Sequence, residues 1–396
     1  MGLKAALEAV VAVTRVGSKG RVIGFLTAAL LLMANLGHSA VLPEDRADAM
    51  YHSYDGGGVT IDGPAVLVRK SVSDNVSISA EYYVDEISSA SIDVMVLASP
   101  YSEERTQYSI NADYLLNKTI ISAGYTNSSE NDYEADTYFL GVSQDFFGDL
   151  STLSLTYSNG SDTVTSVIDD ELREDADHQS YQVSWSQVVT KNLLMNFIYQ
   201  VTTDEGFLRN PYRQTRYLDG FGGMAWEAEN YPETRTSHAA AVRGRYFLPY
   251  RAALSFEYRR FNDTWEIDAY NLELGYTHPL GESWILEFKQ RFYSQSAAVF
   301  YSDLFNTQGS GGRDFRARDK EMSDFESQSF GVSVAYEFKT DWSKWLEKGS
   351  VNLSWTTIQF DYNNFRDASQ TQFATGEEPL YSMDADVIRF FVSAWF

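Results

Sequence analysis

From about residue 76 to the last residue, apolar and polar side chains alternate with a period of two in one segment after another. Tyr270, Leu272, Leu274 and Tyr276 share one face, while Asn271, Glu273, Gly275 and Thr277 share the other. The same pattern recurs at Trp284-Leu286-Phe288, at Phe330-Val332-Val334-Tyr336-Phe338 and at Leu193-Met195-Phe197-Tyr199-Val201. Earlier copies start near Val76, Tyr108, Ile121, Tyr138, Leu153 and Tyr181. Successive side chains of a strand point to opposite faces, so each segment has one apolar face and one mostly polar face. The chain is therefore all-β.

A soluble sandwich and a membrane barrel can both carry this alternation, and the make-up of the faces separates them. The apolar faces tend to begin or end in Tyr, Trp or Phe, as expected where aromatic girdles flank a lipid-facing band. Aromatic residues make up 15% of the chain, with 26 Tyr and 24 Phe, a composition that argues for one large all-β unit. The opposite faces carry Arg243, Arg245, Glu257, Arg259, Glu273, Glu287, Lys289 and Arg291. In a barrel these charges line the lumen.

Connections alternate between tight turns and long polar links. Tight turns fall near Ser73-Asp74-Asn75, Leu116-Asn117-Lys118, Gly148-Asp149, Thr190-Lys191-Asn192, Pro249-Tyr250 and Gly281-Glu282. Long links are expected over 86–104, 127–135, 160–177, 204–234, 295–324 and 363–382, with a somewhat longer inner link over 340–349. Outer-membrane barrels have short periplasmic turns and long external loops. A strand before Gly56-Gly57-Gly58, around 49–55, gives an even number. The expected fold is a transmembrane antiparallel up-and-down β-barrel of sixteen strands, with fourteen as the alternative.

The first forty residues differ from the rest. Lys4, Arg15, Lys19 and Arg21 precede an uncharged apolar run from Val22 to Leu36, which ends in Gly37-His38-Ser39-Ala40. This predicts a signal peptide over 1–40 and a barrel domain over 41–396. The apolar run is shorter than the roughly 20 residues that a spanning helix needs.

Ile388, Phe390, Val392, Ala394 and Phe396 share a face of the final segment. This resembles the C-terminal assembly signal of Gram-negative outer-membrane barrels, departing from it at Ala394, where an aromatic is common. More of the chain resembles the family called domain of unknown function 3570, from about Leu42 to Phe396. The stretches that carry the resemblance are LPEDRADAMYHSYDGGGVTIDGPAVLVRK, YTNSSENDYEAD and FLRNPYRQTRYLD. It implies an exported barrel of the bacterial outer membrane and leaves the activity open.

Composition narrows the function. Lys and Arg total 31 against 55 Asp and Glu, a formal net charge of −24, so a nucleic-acid partner is not expected. With no Cys, disulfides, thiolate metal sites and cysteine nucleophiles are excluded. No Gly-rich phosphate loop, HExxH or nucleophile elbow occurs. The expected protein is not an enzyme and has no cofactor.

The most chemically loaded segment alternates Arg209, Arg213 and Arg216 with Tyr212, Tyr217, Phe221 and Trp226. Guanidinium forks beside aromatic faces can bind an anionic or polar solute, or can neutralise neighbouring acids within a packed loop. Acidic runs at 130–136 and 169–177, and Asp45, Asp48, Asp55 and Asp62 around the glycine turn, are weak sites for a divalent cation. His178, beside Asp175 and Asp177, would suit water activation in a surface hydrolase, whereas His52, His238 and His278 look isolated. The leading expectation is a pore or binding barrel for a small polar solute. A closed structural platform for another exported protein is the alternative, and a hydrolase the third. Expected partners are outer-membrane lipid, lipopolysaccharide and the barrel assembly machinery.

Overall fold

The computed structural model of the chain describes residues 40–89, 101–221, 223–340 and 345–396. The expected signal peptide lies outside them. Sixteen antiparallel strands close into one barrel. In chain order these are β1 (Arg46–Gly56), β2 (Val59–Ser73), β3 (Val76–Ser89), β4 (Tyr101–Leu116), β5 (Thr119–Ser129), β6 (Tyr133–Phe146), β7 (Ser151–Thr165), β8 (Arg173–Thr190) and β9 (Leu193–Gly206). The two-stranded sheet of β10 (Gln214–Leu218) and β11 (Met224–Ala228) stands apart from the wall. The barrel continues with β12 (Thr234–Phe247), β13 (Ala253–Asp263), β14 (Asp268–Leu280), β15 (Trp284–Gln295), β16 (Phe325–Lys339), β17 (Lys348–Arg366) and β18 (Leu380–Trp395).

Each strand pairs with its sequence neighbour in the wall, and β1 pairs with β18 from Arg46↔Trp395 to Gly56↔Ala385. Closure leaves no free sheet edge. Among the described residues no helix is long and apolar enough to cross a membrane. The expected strand before the glycine turn is present and longer than predicted. Gly57 and Gly58 join β1 to β2 with φ of 58° and 77°. Two consecutive positive φ values are what a two-residue hairpin turn requires, and glycine supplies them without strain.

The inner turns are short, as expected: two residues join β2 to β3, β4 to β5 and β8 to β9. Three outer connections besides the Gly57-Gly58 turn are also short, which corrects the expected rule of long links on that side. Only 130–132 separates β5 from β6, 166–172 separates β7 from β8, and 264–267 separates β13 from β14. Of the polar residues expected to be loop, 127–129, 133–135, 160–165 and 173–177 instead extend the strands, with partners across the wall. The links at 86–104 and 340–349 fall partly outside the described residues.

The barrel is apolar outside and polar over much of its inside. Leu254, Phe256 and Tyr258 on β13, Tyr270 and Leu274 on β14, and Trp284, Phe288 and Phe292 on β15 are exposed outward. Ile388 and Phe390 join them on β18. The intervening residues point inward and form rows across the strands. One row runs Arg243↔Glu257↔Glu273↔Arg291 over β12 to β15. Facing is the testable consequence. Leu274→Arg should lower barrel stability by about 2 to 4 kcal/mol, the cost of a cation near the lipid midplane. Glu273→Arg, whose new guanidinium faces Glu257 inside, should change it by less than about 1 kcal/mol. Denaturant titration in lipid vesicles measures both, and equal losses would reverse the assignment.

Candidate functional site

The outer end of the barrel is covered by three connections: 207–233 with its β10–β11 hairpin, 296–324 and 367–379. The first two interlock through the backbone, and Glu378 ties the third to them. Leu218 N–H donates to the Phe305 carbonyl at 2.9 Å, and Phe305 N–H donates to Arg216 O at 2.9 Å. Asn230 and Arg316 exchange a pair of bonds at 3.0 and 2.7 Å. Under this layer lies an apolar cluster of Tyr231, Trp265, Ile267, Ala298, Phe300 and Ala317. Inward-facing Phe261 of β13 packs against it, which seats the cap on the barrel mouth.

The arginines proposed from sequence to meet a solute are engaged by protein groups. Arg216 is 1% exposed. Its Nη1 donates to Glu378 Oε1 at 2.6 Å, its Nη2 to Glu378 Oε2 at 3.1 Å and to Asp303, and its Nε to the Asp303 carbonyl at 2.9 Å. Arg213 pairs with Asp319 at 3.1 Å. Arg209 donates to the Glu229 carbonyl at 2.7 Å and lies over the Phe207 ring. The Tyr212 hydroxyl donates to Asp132 and accepts from Val167 N–H at 2.9 Å. Tyr217 joins the hairpin to Phe305 by a parallel bridge. The segment therefore knits the cap together by charge pairing and packing, the second of the two uses its composition allowed.

Three acidic partners were not singled out from sequence. Asp303 accepts from Arg216, from Arg366 N–H at 3.1 Å and from Arg318, whose Nη2 lies 3.1 Å away. Glu378 closes the fork on Arg216. Glu229, 1% exposed, accepts from the backbone of Arg318 and Asp319 at 2.6 and 2.8 Å and from the Tyr231 hydroxyl at 2.8 Å. Arg216 is separated from Asp303 and Glu378 by 87 and 162 residues, so no local spacing could reveal the cluster.

The predicted lumen charges do lie together on the inner wall of β12 to β15. Arg243 and Glu257 form an ion pair, Arg291 donates to Asn271, and Lys289 lies 3.4 Å from Glu287. Glu257 stands between Arg243 and Glu273 in the register, Arg259 lies opposite Asn271, and Arg245 opposite Ser255. Arg243, Arg245 and Lys289 are exposed within this inner surface, whereas Ala239, Ala241, Ala269 and Gln295, nearer the cap, are buried. The opposite inner wall is packed by Tyr54, Val59, Ile61, Ile87, Ala385 and Val387. The lumen is thus charged along β12 to β15, and on the far wall an apolar patch at the outer end of β1, β2, β3 and β18 adjoins the buried His52 and Asp85.

Several sequence expectations change. His178 sits within β8, and its partners are Asp204 at 2.7 Å and Asp162 at 2.9 Å, not Asp175 and Asp177, because the latter belong to the other face of the strand. With both ring nitrogens held by carboxylates, the side chain is suited to joining three strands rather than to activating water. His52 is not isolated: it is buried, contacts Asp85 at 2.7 Å and stacks on Tyr83. His238 and His278 bond to Tyr199 and Tyr276. Asp45 and Asp48 pair with Lys70 and Arg46 at the inner end of β1, with the strand's length between them and Asp55, so the four aspartates form no site.

Glu229 makes the cap sensitive to pH. Burial, followed by the charge of Asp319, pushes its carboxyl up from 4.5 to about 7. A folded-state value above the unfolded one contributes stability that is complete below the unfolded value and is lost as pH rises through the folded one. Limited proteolysis within 207–233 should therefore be faster on the alkaline side of 7 than on the acidic side. Glu229→Gln, which keeps an acceptor oxygen, should flatten that difference. An unchanged pH profile in this variant would assign the effect elsewhere.

No curated protein matches the sequence. Among solved structures the chain is similar to a bacterial polysaccharide outer membrane secretin, with 9% identity, a TM-score of 0.47, and coverage of 90% of this chain and 100% of that one. It is also similar to a FadL homologue from Pseudomonas aeruginosa, with 9% identity, a TM-score of 0.42, and coverage of 90% and 91%. A third similarity is to the siderophore receptor PirA from Acinetobacter baumannii, with 9% identity and a TM-score of 0.43. It covers 89% of this chain, which spans 60% of the receptor's length. The family model matches 92–348, so of the resemblance expected over 42–396 it leaves out both the opening segment and the last strands from 349 on. That match still covers more than half of the sequence, and the chain belongs to the family described as protein of unknown function (DUF3570).

Proposed function

We propose that the protein is an outer-membrane barrel that takes a small polar, preferably anionic, solute into its lumen, with the three interlocked outer connections as its gate. The outward apolar belt supports insertion in a bilayer, and Ile388, Phe390, Val392 and Phe396 are the segment the assembly machinery would read. Lipid and lipopolysaccharide are the expected surroundings. The observation that carries the reading is the buried Arg216, held by Asp303 and Glu378 across the cap. A cap held by ion pairs can separate at low cost only if its charges reach water together, which is how a gate differs from a core. Beneath it, basic side chains outnumber acidic ones among Arg243, Arg245, Glu257, Arg259, Glu273, Glu287, Lys289 and Arg291. Such a wall attracts anions in a chain that is otherwise acidic.

A second reading is favoured by the apolar packing of Tyr54, Ile61 and Val387 on the opposite inner wall. On that reading the lumen stays closed and the barrel is a platform for another exported protein. Neither reading includes a catalytic step. Recording in planar bilayers separates them. Arg216→Ala leaves Asp303 and Glu378 without their shared cation, a loss of roughly 3 to 5 kcal/mol for a buried pair. The gate reading expects longer or larger openings in this variant than in the wild type, with an anion preference that Arg243→Glu weakens. Folded but silent protein, both wild type and Arg216→Ala, would establish the platform.

A further inference from the structure

At the outer rim, away from the cap's ion pairs, three carboxylates converge. Glu103 lies near the start of β4, and Glu130 and Asp132 lie in the turn between β5 and β6. One oxygen from each lies within 4.8 Å of the others. The group is not a solvated acidic patch, because Asp132 is 6% exposed and Glu103 9%. One Asp132 oxygen accepts from Tyr212, while the other, Oδ1, is buried with no hydrogen-bond partner. The backbone N–H of Asn131 donates to Glu103 and holds it against the turn. Arg105, two residues along β4, is turned to Asp85 and Gln107 instead.

Burying a carboxylate oxygen with neither donor nor cation is costly, and three converging carboxylates add mutual repulsion. A hard cation removes both costs. Oxygen atoms on a calcium shell, at about 2.3 to 2.6 Å from the ion, span at most roughly 5 Å, which this spacing matches. Magnesium holds ligands at about 2.0 to 2.1 Å in strict octahedral geometry and keeps most of its water, so it suits the site less. We propose that Glu103, Glu130 and Asp132 bind one calcium ion, which fixes β4 to the β5–β6 turn. Through Tyr212 the ion also steadies the 207–233 connection. The acidic run at 130–136 thus supplies only part of the site, and its third member comes from β4.

Calorimetric titration of calcium chloride into chelator-treated, lipopolysaccharide-free full-length protein in detergent tests this directly. The wild type should show one saturable site, and Asp132→Asn and Glu103→Gln should each weaken it by roughly tenfold or more. Asp170→Asn, in the other acidic run, should bind like the wild type. Thermal midpoints guard against misfolding. Without calcium, Asp132→Asn should be at least as stable as the wild type, because repulsion is relieved. With calcium, only the wild type should gain stability. Absence of a saturable site up to millimolar calcium, or an unchanged affinity in Asp132→Asn, would overturn the proposal. Equal affinity for magnesium would overturn the calcium assignment.

Discussion

The structure depends first on where its backbone hydrogen bonds go. In hydrocarbon no water can satisfy a free N–H or C=O, so a sheet that crosses a bilayer must have no edge. Pairing of β1 with β18 provides this along the whole of β1. Once the circle is closed, side-chain parity leaves little choice. A shift of one residue in any strand would carry its tyrosines and leucines inward and its charges into lipid. The long apolar-polar alternation is thus a register instruction as well as a secondary-structure one.

Closure also sets the problem that the cap addresses. The inward faces of β12 to β15 carry charges, while the inward faces near β1, β2 and β18 carry Tyr54, Ile61 and Val387. These two walls differ in what they can contact, and the outer connections meet both. Tyr301 packs among Tyr362 and Phe365 beside β17, whereas Arg216, Arg318 and Asp303 form a charged centre above. Arg318 serves both layers, since its guanidinium pairs with Asp303 and lies over the Phe365 ring. A charged centre enclosed by aromatic packing holds well while complete and fails when one member is lost. That property distinguishes the cap from an ordinary surface loop.

Much of the fold was legible in the sequence because strand parity is a local signal. Leu274 and Glu273 are adjacent and face opposite media, and that difference is written in two consecutive residues. Turn chemistry was legible for the same reason at Gly57-Gly58. Strand ends were less so. Residues at 127–129, 133–135, 160–165 and 173–177 are polar enough to look like loop, yet they extend the wall above the apolar belt, where water accepts polar residues on both faces. A barrel strand that outruns the belt has no hydrophobic period to mark its end.

The sequence by itself pointed to a β-barrel, its outward belt and the inward charges of β12 to β15, since each follows from alternation between neighbouring residues, while the choice of sixteen strands over fourteen was settled by the pairing of β1 with β18. It also identified Arg209, Tyr212, Arg213, Arg216 and Tyr217 as an unusual cluster. What those side chains touch was decided only by tertiary structure. Asp303, Glu378, Asp319 and Asp132 lie in other connections, and no interval along the chain encodes their approach. The physical reason is range: a strand's facing is set by the residues beside it, whereas a buried ion pair is set by whichever distant loop the closed barrel brings to the same rim.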